Sequence, residues 1–170
     1  MIAIRRITTG DAALLRTIRL RALTEAPTAF GSTAAEAAAR PMSWWEDAAA
    51  TRASGNDECT FFAEYSGEPV GLVGGYWADR ARGVVELISM WVSPDARRAG
   101  VASRLVNAVL DWAGMADAQA VQLWVTATNE PAIALYQRHG FLLTADSQPL
   151  PSNPAMDEVR MVLGWKDPAP

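Results

Sequence analysis

The run Arg97, Arg98, Ala99, Gly100, Val101, Ala102, Ser103 stands where an apolar, strand-like stretch gives way to the clearest helical pattern of the chain. A helix start leaves up to four N–H groups without intrahelical partners, and the macrodipole adds partial positive charge there. Gly100 and Ala102 keep the backbone approachable and the two arginines supply permanent charge, so the turn suits a phosphate or diphosphate. Alone, it also reads as an ordinary turn with solvated arginines. Further on, Asn129 and Tyr136 lie seven residues apart on a predicted helix. That spacing puts them about 20° apart around the axis and roughly 10 Å apart along it, on one face. Taken singly they read as an N-cap and an amphipathic core tyrosine.

Such residues need a frame. Ile2 and Ile4 suggest a strand, and Leu14, Leu15, Ile18 and Ala22 recur at helical spacing. Pro27 and Gly31 break that helix, and residues 34–39 and 43–53 read as one or two further short helices, with Ser43 as an N-cap. CTFFAEY, VGLVGGYWA and VVELISMWV are three strands joined by two hairpin turns, with Gly71, Gly74 and Gly75 marking bulges or close backbone approach. The apolar series Val101, Ala102, Leu105, Val106, Val109, Leu110, Ala113 defines the central helix. VQLWV is a strand and NEPAIALYQRHG a short helix, with Pro131 in its first turn and Gly140 as its stop. FLLTA is a strand, a loop carrying Pro149, Pro151, Ser152 and Pro154 follows, and EVRMVLG is the last strand. This order predicts an α/β fold, a mixed, partly antiparallel twisted sheet of about seven strands with helices on both faces. Residues 1–166 are expected to form one domain and 167–170 a disordered tail.

Composition narrows the classes. The 170 residues carry a formal charge of −4 without a basic stripe, which disfavours nucleic acid as a partner and mildly favours cationic ligands. No apolar run approaches the roughly 20 residues of a membrane span, and the N-terminal stretch is charged where a secretion signal would be apolar, so a cytoplasmic protein is expected. One cysteine, Cys59, reads as a core thiol. With a single histidine, His139, set at a helix end, no metal site is expected.

RRAGVA, preceded by Val92-Ser93-Pro94, resembles the acyl-CoA signature of the Gcn5-related N-acetyltransferase (GNAT) family, Arg/Gln-x-x-Gly-x-Gly/Ala, at Arg97, Gly100 and Ala102. That family often has glycine where this chain has Arg98 and Ala102, and a basic residue where it has Ala99. LWVTATNEPAIALYQRHGF is similar to the family's other block, with Asn129 and Tyr136 in place. The resemblance implies acetyl-CoA as co-substrate and a direct transfer to an amine in a ternary complex. It implies that the amides from about Arg98 to Ser103 (Ala99, Gly100, Val101 and Ala102 between them) cradle the pyrophosphate. Met90, Trp91 and Val92 would lend backbone groups to pantetheine, an N–H of Met90 or Trp91 would face the oxyanion, and Asn129 would touch the pantetheine arm. Tyr136 would be the acid for the leaving thiolate.

An amine attacks only as the free base, so a carboxylate near it is useful. Glu86 is the one acidic residue of VVELISMWV, where the family often keeps a base, and it is read as general base or ammonium anchor, or else as an outward, solvated glutamate. The resemblance implies an acceptor cleft drawing on Phe30, Trp44, Trp45, Glu46, Asp47, Asp146 and Asp157, the aromatics serving as a floor for an apolar amine or as core anchors. A small primary amine is the expected acceptor. Acetylation of a protein N-terminus or lysine, and a non-catalytic coenzyme A binding module, are the alternatives. The resemblance also allows a homodimer.

Overall fold

The computed structural model describes residues 1–164; the expected tail and the last residues of the expected domain lie outside them. Seven strands, β1 (Ile2–Arg6), β2 (Glu58–Tyr65), β3 (Glu68–Asp79), β4 (Val84–Val92), β5 (Ala120–Thr126), β6 (Leu142–Leu150) and β7 (Asn153–Gly164), form one sheet in the order β1-β2-β3-β4-β5-β7-β6. The helices are α1 (Ala12–Glu25), α2 (Ala34–Ala39), α3 (Met42–Ala53), α4 (Val101–Met115) and α5 (Glu130–Arg138).

Every strand pair is antiparallel except β4 with β5, and that parallel pair holds only from Val84 to Glu86 against Ala120 to Gln122. Beyond Glu86 the two strands part, leaving the edge of β4 from Leu87 onward without a partner in β5. A parallel connection needs a crossover, which α4 supplies. It packs its apolar stripe on one sheet face, where Val85, Leu87, Val106, Val109, Val121 and Leu123 make one core cluster. α1 and α3 cover the opposite face, where Leu15, Ile18, Trp45, Phe62, Leu72 and Trp91 make a second. The sheet is thus filled from both sides, as the strand and helix order predicts.

β3 meets its glycine expectation through close packing. A Cβ on Gly71 would come within 2.9 Å of Trp91 O and 3.1 Å of Leu105, and one on Gly75 within 3.1 Å of Val109. Only a bare backbone lets α4 and β4 lie so near β3. Cys59, 1% exposed, fills the same layer, and burial pushes its thiol pKa up to about 12, so it is an apolar filler.

Two local readings need correction. Pro41, not Ser43, precedes the first residue of α3. The proline-rich segment between the last strands is a tight hairpin, with Pro149 inside β6 and Pro154 inside β7. β6 is the sheet edge, so the missing N–H of Pro149 removes no ladder bond from an interior pair.

Candidate active site

β4 carries the site. Leu72 of β3 pairs with Trp91 and Gly74 with Ile88, so Ser89 and Met90 together oppose a single residue of β3. This is a bulge, and Ser89 takes φ 60° within it. Before the bulge, Val85 and Leu87 point to the α4 side; Glu86 and Ile88 therefore point to the α1 side, and the extra residue returns Trp91 to the α1 side as well. The bulge falls just where β5 has departed, so backbone groups of residues 89–90 are re-aimed beside the gap.

Glu86 is half-buried and held at both oxygens. Tyr76 donates its hydroxyl to Oε2 at 2.8 Å and Gln122 donates Nε2 to Oε1 at 2.8 Å. The register explains the trio, because Tyr76 and Gln122 are the cross-strand neighbours of Glu86 on β3 and β5. Gln122 is steadied in turn by Arg160, whose Nη1 donates to Oε1 at 3.3 Å and whose other donors hold Asp146. A carboxylate accepts about four hydrogen bonds, so Glu86 keeps capacity for a further donor. It is a positioned carboxylate and not the freely solvated one.

The phosphate-type turn is built as its sequence suggests. Gly100 takes φ 76° and Arg98 φ 63°, both in the left-handed region. The position where the family often has glycine is thus one where Arg98 bears backbone strain. The helical ladder begins with Arg104 N–H to Gly100 O, and the amides of residues 98–103 have no backbone acceptor among the described residues. A Cβ built on Gly100 meets nothing within 4 Å, so the space above the turn is open to a bulky anion.

The two arginines differ. Arg97 turns back to the scaffold, donating Nε to Val92 O at 3.0 Å and Nη2 to Glu25 at 2.7 Å. Glu25 also accepts from Trp91 Nε1 at 2.8 Å, and Arg21 donates to Ser93 Oγ at 2.9 Å, so α1 clamps the end of β4 and the turn together. Arg98 is exposed and makes no side-chain hydrogen bond among the described residues, which leaves it free to meet a phosphate.

Asn129 caps α5, its side chain accepting from Ala132 N–H at 3.3 Å. Tyr136 is 6% exposed in the α4-side cluster and packs edge-on to Phe141 with ring centroids 5.8 Å apart. Burial raises its pKa well above that of a free phenol. Glu86 and Tyr136 accordingly belong to opposite faces of the sheet, and the β4–β5 gap is the opening between those faces. Ser103 Oγ and His139 Nε2 lie 2.8 Å apart, joining the first turn of α4 to the end of α5. Burial, helped by neighbouring Arg138, lowers the His139 pKa, so the ring is neutral near pH 7.

Phe30 is a core residue, 5% exposed beneath the Arg19 guanidinium at 4.7 Å from its ring. Glu46 and Asp47 are exposed. A cavity of about 200 Å³ lies between α1, α2, α3 and β4, and Trp44 and Trp45 line it. Leu15, Leu72 and Ile88 add to an apolar part of its wall, and Arg19, Arg40 and Arg52 set guanidinium groups around it. Arg19 lay on a helix face that periodicity alone marks as packing, and nothing in its spacing revealed the cavity.

The acetyltransferase (GNAT) family model matches residues 20–141, and the chain belongs to that family. The L-2,4-diaminobutyric acid acetyltransferase of Chromohalobacter salexigens is 37% identical over 82 residues, which are 48% of this chain and 43% of that protein. The chain spans about two-fifths of the length of the curated relatives it matches. Among solved structures, a GNAT acetyltransferase from Streptococcus pneumoniae superposes with TM-score 0.80 at 23% identity, covering 96% of this chain and 99% of that one. A spermidine N-acetyltransferase from Vibrio cholerae, solved with CoA and spermine, gives 0.74 at 18% identity, covering 96% and 95%. Those likenesses establish the seven-stranded fold. No helix among the described residues is long and apolar enough to cross a membrane.

Proposed function

We propose that this chain moves an acetyl group from acetyl-CoA to the primary amine of a small molecule, by direct transfer in a ternary complex. The observation that carries this reading is the parting of β4 and β5 after Glu86, with the β4 bulge and the open turn of α4 beside it. The named substrates of the diaminobutyrate and spermidine enzymes, both amines, support it. So does the small volume of the cavity on the Glu86 side, which suits a compact acceptor better than a protein segment.

The open amides from 98 to 103, including those of Ala99, Gly100, Val101 and Ala102, are the pyrophosphate cradle in this reading, with Arg98 as its free charge. The backbone of Met90, Trp91 and Val92 lies along the pantetheine path, and Asn129 borders it after capping α5. The thioester supplies an activated acetyl carbon. Glu86 holds the incoming ammonium and takes its proton, directly or through water, so that the lone pair becomes available. The N–H groups at the bulge face the carbonyl oxygen where negative charge develops, a stabilisation typically worth a few kcal/mol. As the C–S bond breaks, Tyr136 gives its proton to the sulfur and regains one from solvent. Its raised pKa keeps that proton in place at neutral pH.

A screen of primary amines with acetyl-CoA and thiol detection of released coenzyme A tests the reading. Acceptor-dependent thiol release with an N-acetylated product by mass spectrometry is expected. Tight acetyl-CoA binding without transfer to any amine or peptide would instead favour a coenzyme A binding module.

A further inference from the structure

Two residues that line the cavity between α1, α2, α3 and β4 each carry a buried donor without an acceptor: Arg19 at Nη1 and Trp45 at its indole Nε1. Trp45 is only 2% exposed. Folded proteins leave few buried donors unpaired, and two on residues of one cavity wall point to an acceptor beside them. The other polar groups around it are mostly committed. Arg19 Nη2 donates to Ser32 Oγ at 2.9 Å, Arg52 Nε to Glu58 at 3.0 Å, and Glu36 accepts from Thr33 N–H at 2.8 Å within its helix cap.

The lining holds three guanidinium groups, Arg19, Arg40 and Arg52, and one carboxylate, Glu36, with Arg52 paired outside it to Glu58. Burial, and then the charges of Arg52 and Arg40, pull the Arg19 pKa down to about 10, still protonated at neutral pH. An anion relieves that like-charge crowding, and a planar carboxylate matches the guanidinium fork. A polyamine entering the same space would add positive charge to it. Ile88 and Ser89 close the cavity toward β4. Ile88 shares the strand face of Glu86, two residues or about 7 Å along it.

Resting on the acetyl-transfer reading above, we propose that this cavity seats a carboxylate carried by the acceptor itself. The acceptor is then a small amino acid whose amine reaches Glu86 while its carboxylate meets Arg19 Nη1 and Trp45 Nε1. The volume, about seven waters' share of liquid at roughly 30 Å³ each, suits such a molecule.

The test uses the full chain and matched acceptors with and without the carboxylate: ornithine against putrescine, lysine against cadaverine, alanine against ethylamine. The expected result is a kcat/KM at least roughly 100-fold higher for the best amino acid than for its decarboxylated partner. Arg19→Met, and Trp45→Phe, which keeps an aromatic ring while deleting the donor, should raise KM for the amino acid with little change in kcat or in coenzyme A affinity; Arg19→Lys should restore part of the loss. Equal use of both members of each pair, preference for the decarboxylated amine or for phosphoethanolamine, or indifference to both substitutions overturns the proposal. Calorimetry of the same amino acids on the protein–coenzyme A complex separates it from the transfer reading. Binding that weakens at least tenfold in both variants supports the carboxylate seat even without turnover, whereas turnover indifferent to the carboxylate supports transfer and removes the seat.

Discussion

Tyr76 donates to Glu86 across the β3–β4 pair at 2.8 Å, while Gln122 reaches the same carboxylate from β5. Burial, and then this bond, push the Tyr76 pKa up to about 12, so the phenol remains a donor across the working range. Glu86 is thereby aimed by two strands at once, at the last rung before they separate. Glu86→Gln should lower kcat/KM about 10²–10⁴-fold, the range of a lost general base. Tyr76→Phe keeps the carboxylate and loosens its aim, so a smaller fall of roughly 3–10-fold is expected, in kcat more than in KM. Steady-state kinetics of both variants checks the pair; equal losses would make Tyr76 more than a positioning residue.

Tyr136→Phe should lower kcat about 10²-fold or more with coenzyme A affinity nearly unchanged. The phenyl ring preserves the edge contact with Phe141, so stability is retained and the loss is chemical. Calorimetry beside turnover is the measurement, and parallel loss of both would reassign the hydroxyl to binding.

Gly100→Glu introduces a side chain at φ 76°, where a Cβ carries a backbone cost of about 1–2 kcal/mol, and sets a negative charge in the turn. Coenzyme A affinity should fall at least tenfold. Because no atom lies within 4 Å of the added Cβ, Gly100→Ala should be milder, with strain and no clash. Titration of coenzyme A into both variants reads the difference.

Arg5 holds Asp11 at 2.7 Å and keeps its carboxyl at about 2, against an ordinary 3.8. A depressed carboxylate stabilises the fold fully above its unfolded value, and that stability is lost as pH falls from about 4 through about 2. Asp11→Ala should cost about 1–2 kcal/mol at pH 7, the part-exposure of Arg5 limiting the figure, and nothing below about pH 2. Denaturant titrations across that range check it.

The order of strands and helices was legible because their periods differ cleanly: the stripe from Val101 to Ala113 is helical, and the strand stretches are rich in branched and aromatic residues. The turn before α4 was legible too, since Gly100 and its neighbours signal their geometry locally. What stayed hidden comes from long-range register. Tyr76, Glu86 and Gln122 meet only because three strands align, and Glu25 reaches Arg97 only because α1 packs across the end of β4. The prolines of the last hairpin misled because Pro149 on an outer strand obeys different rules from Pro149 in an interior one. The arginine-lined cavity was invisible for a similar reason: α1, α2, α3 and β4 each supply a part of its wall.

Within the sheet ladder, the ribbons β1 to β4 and β5 to β7 meet through three residue pairs. A thioester arm lying in the fork would act as a zipper, extending the seam and fusing the halves mechanically. Amide exchange from Leu87 to Val92 should slow sharply on coenzyme A binding, and the midpoint of thermal unfolding should rise.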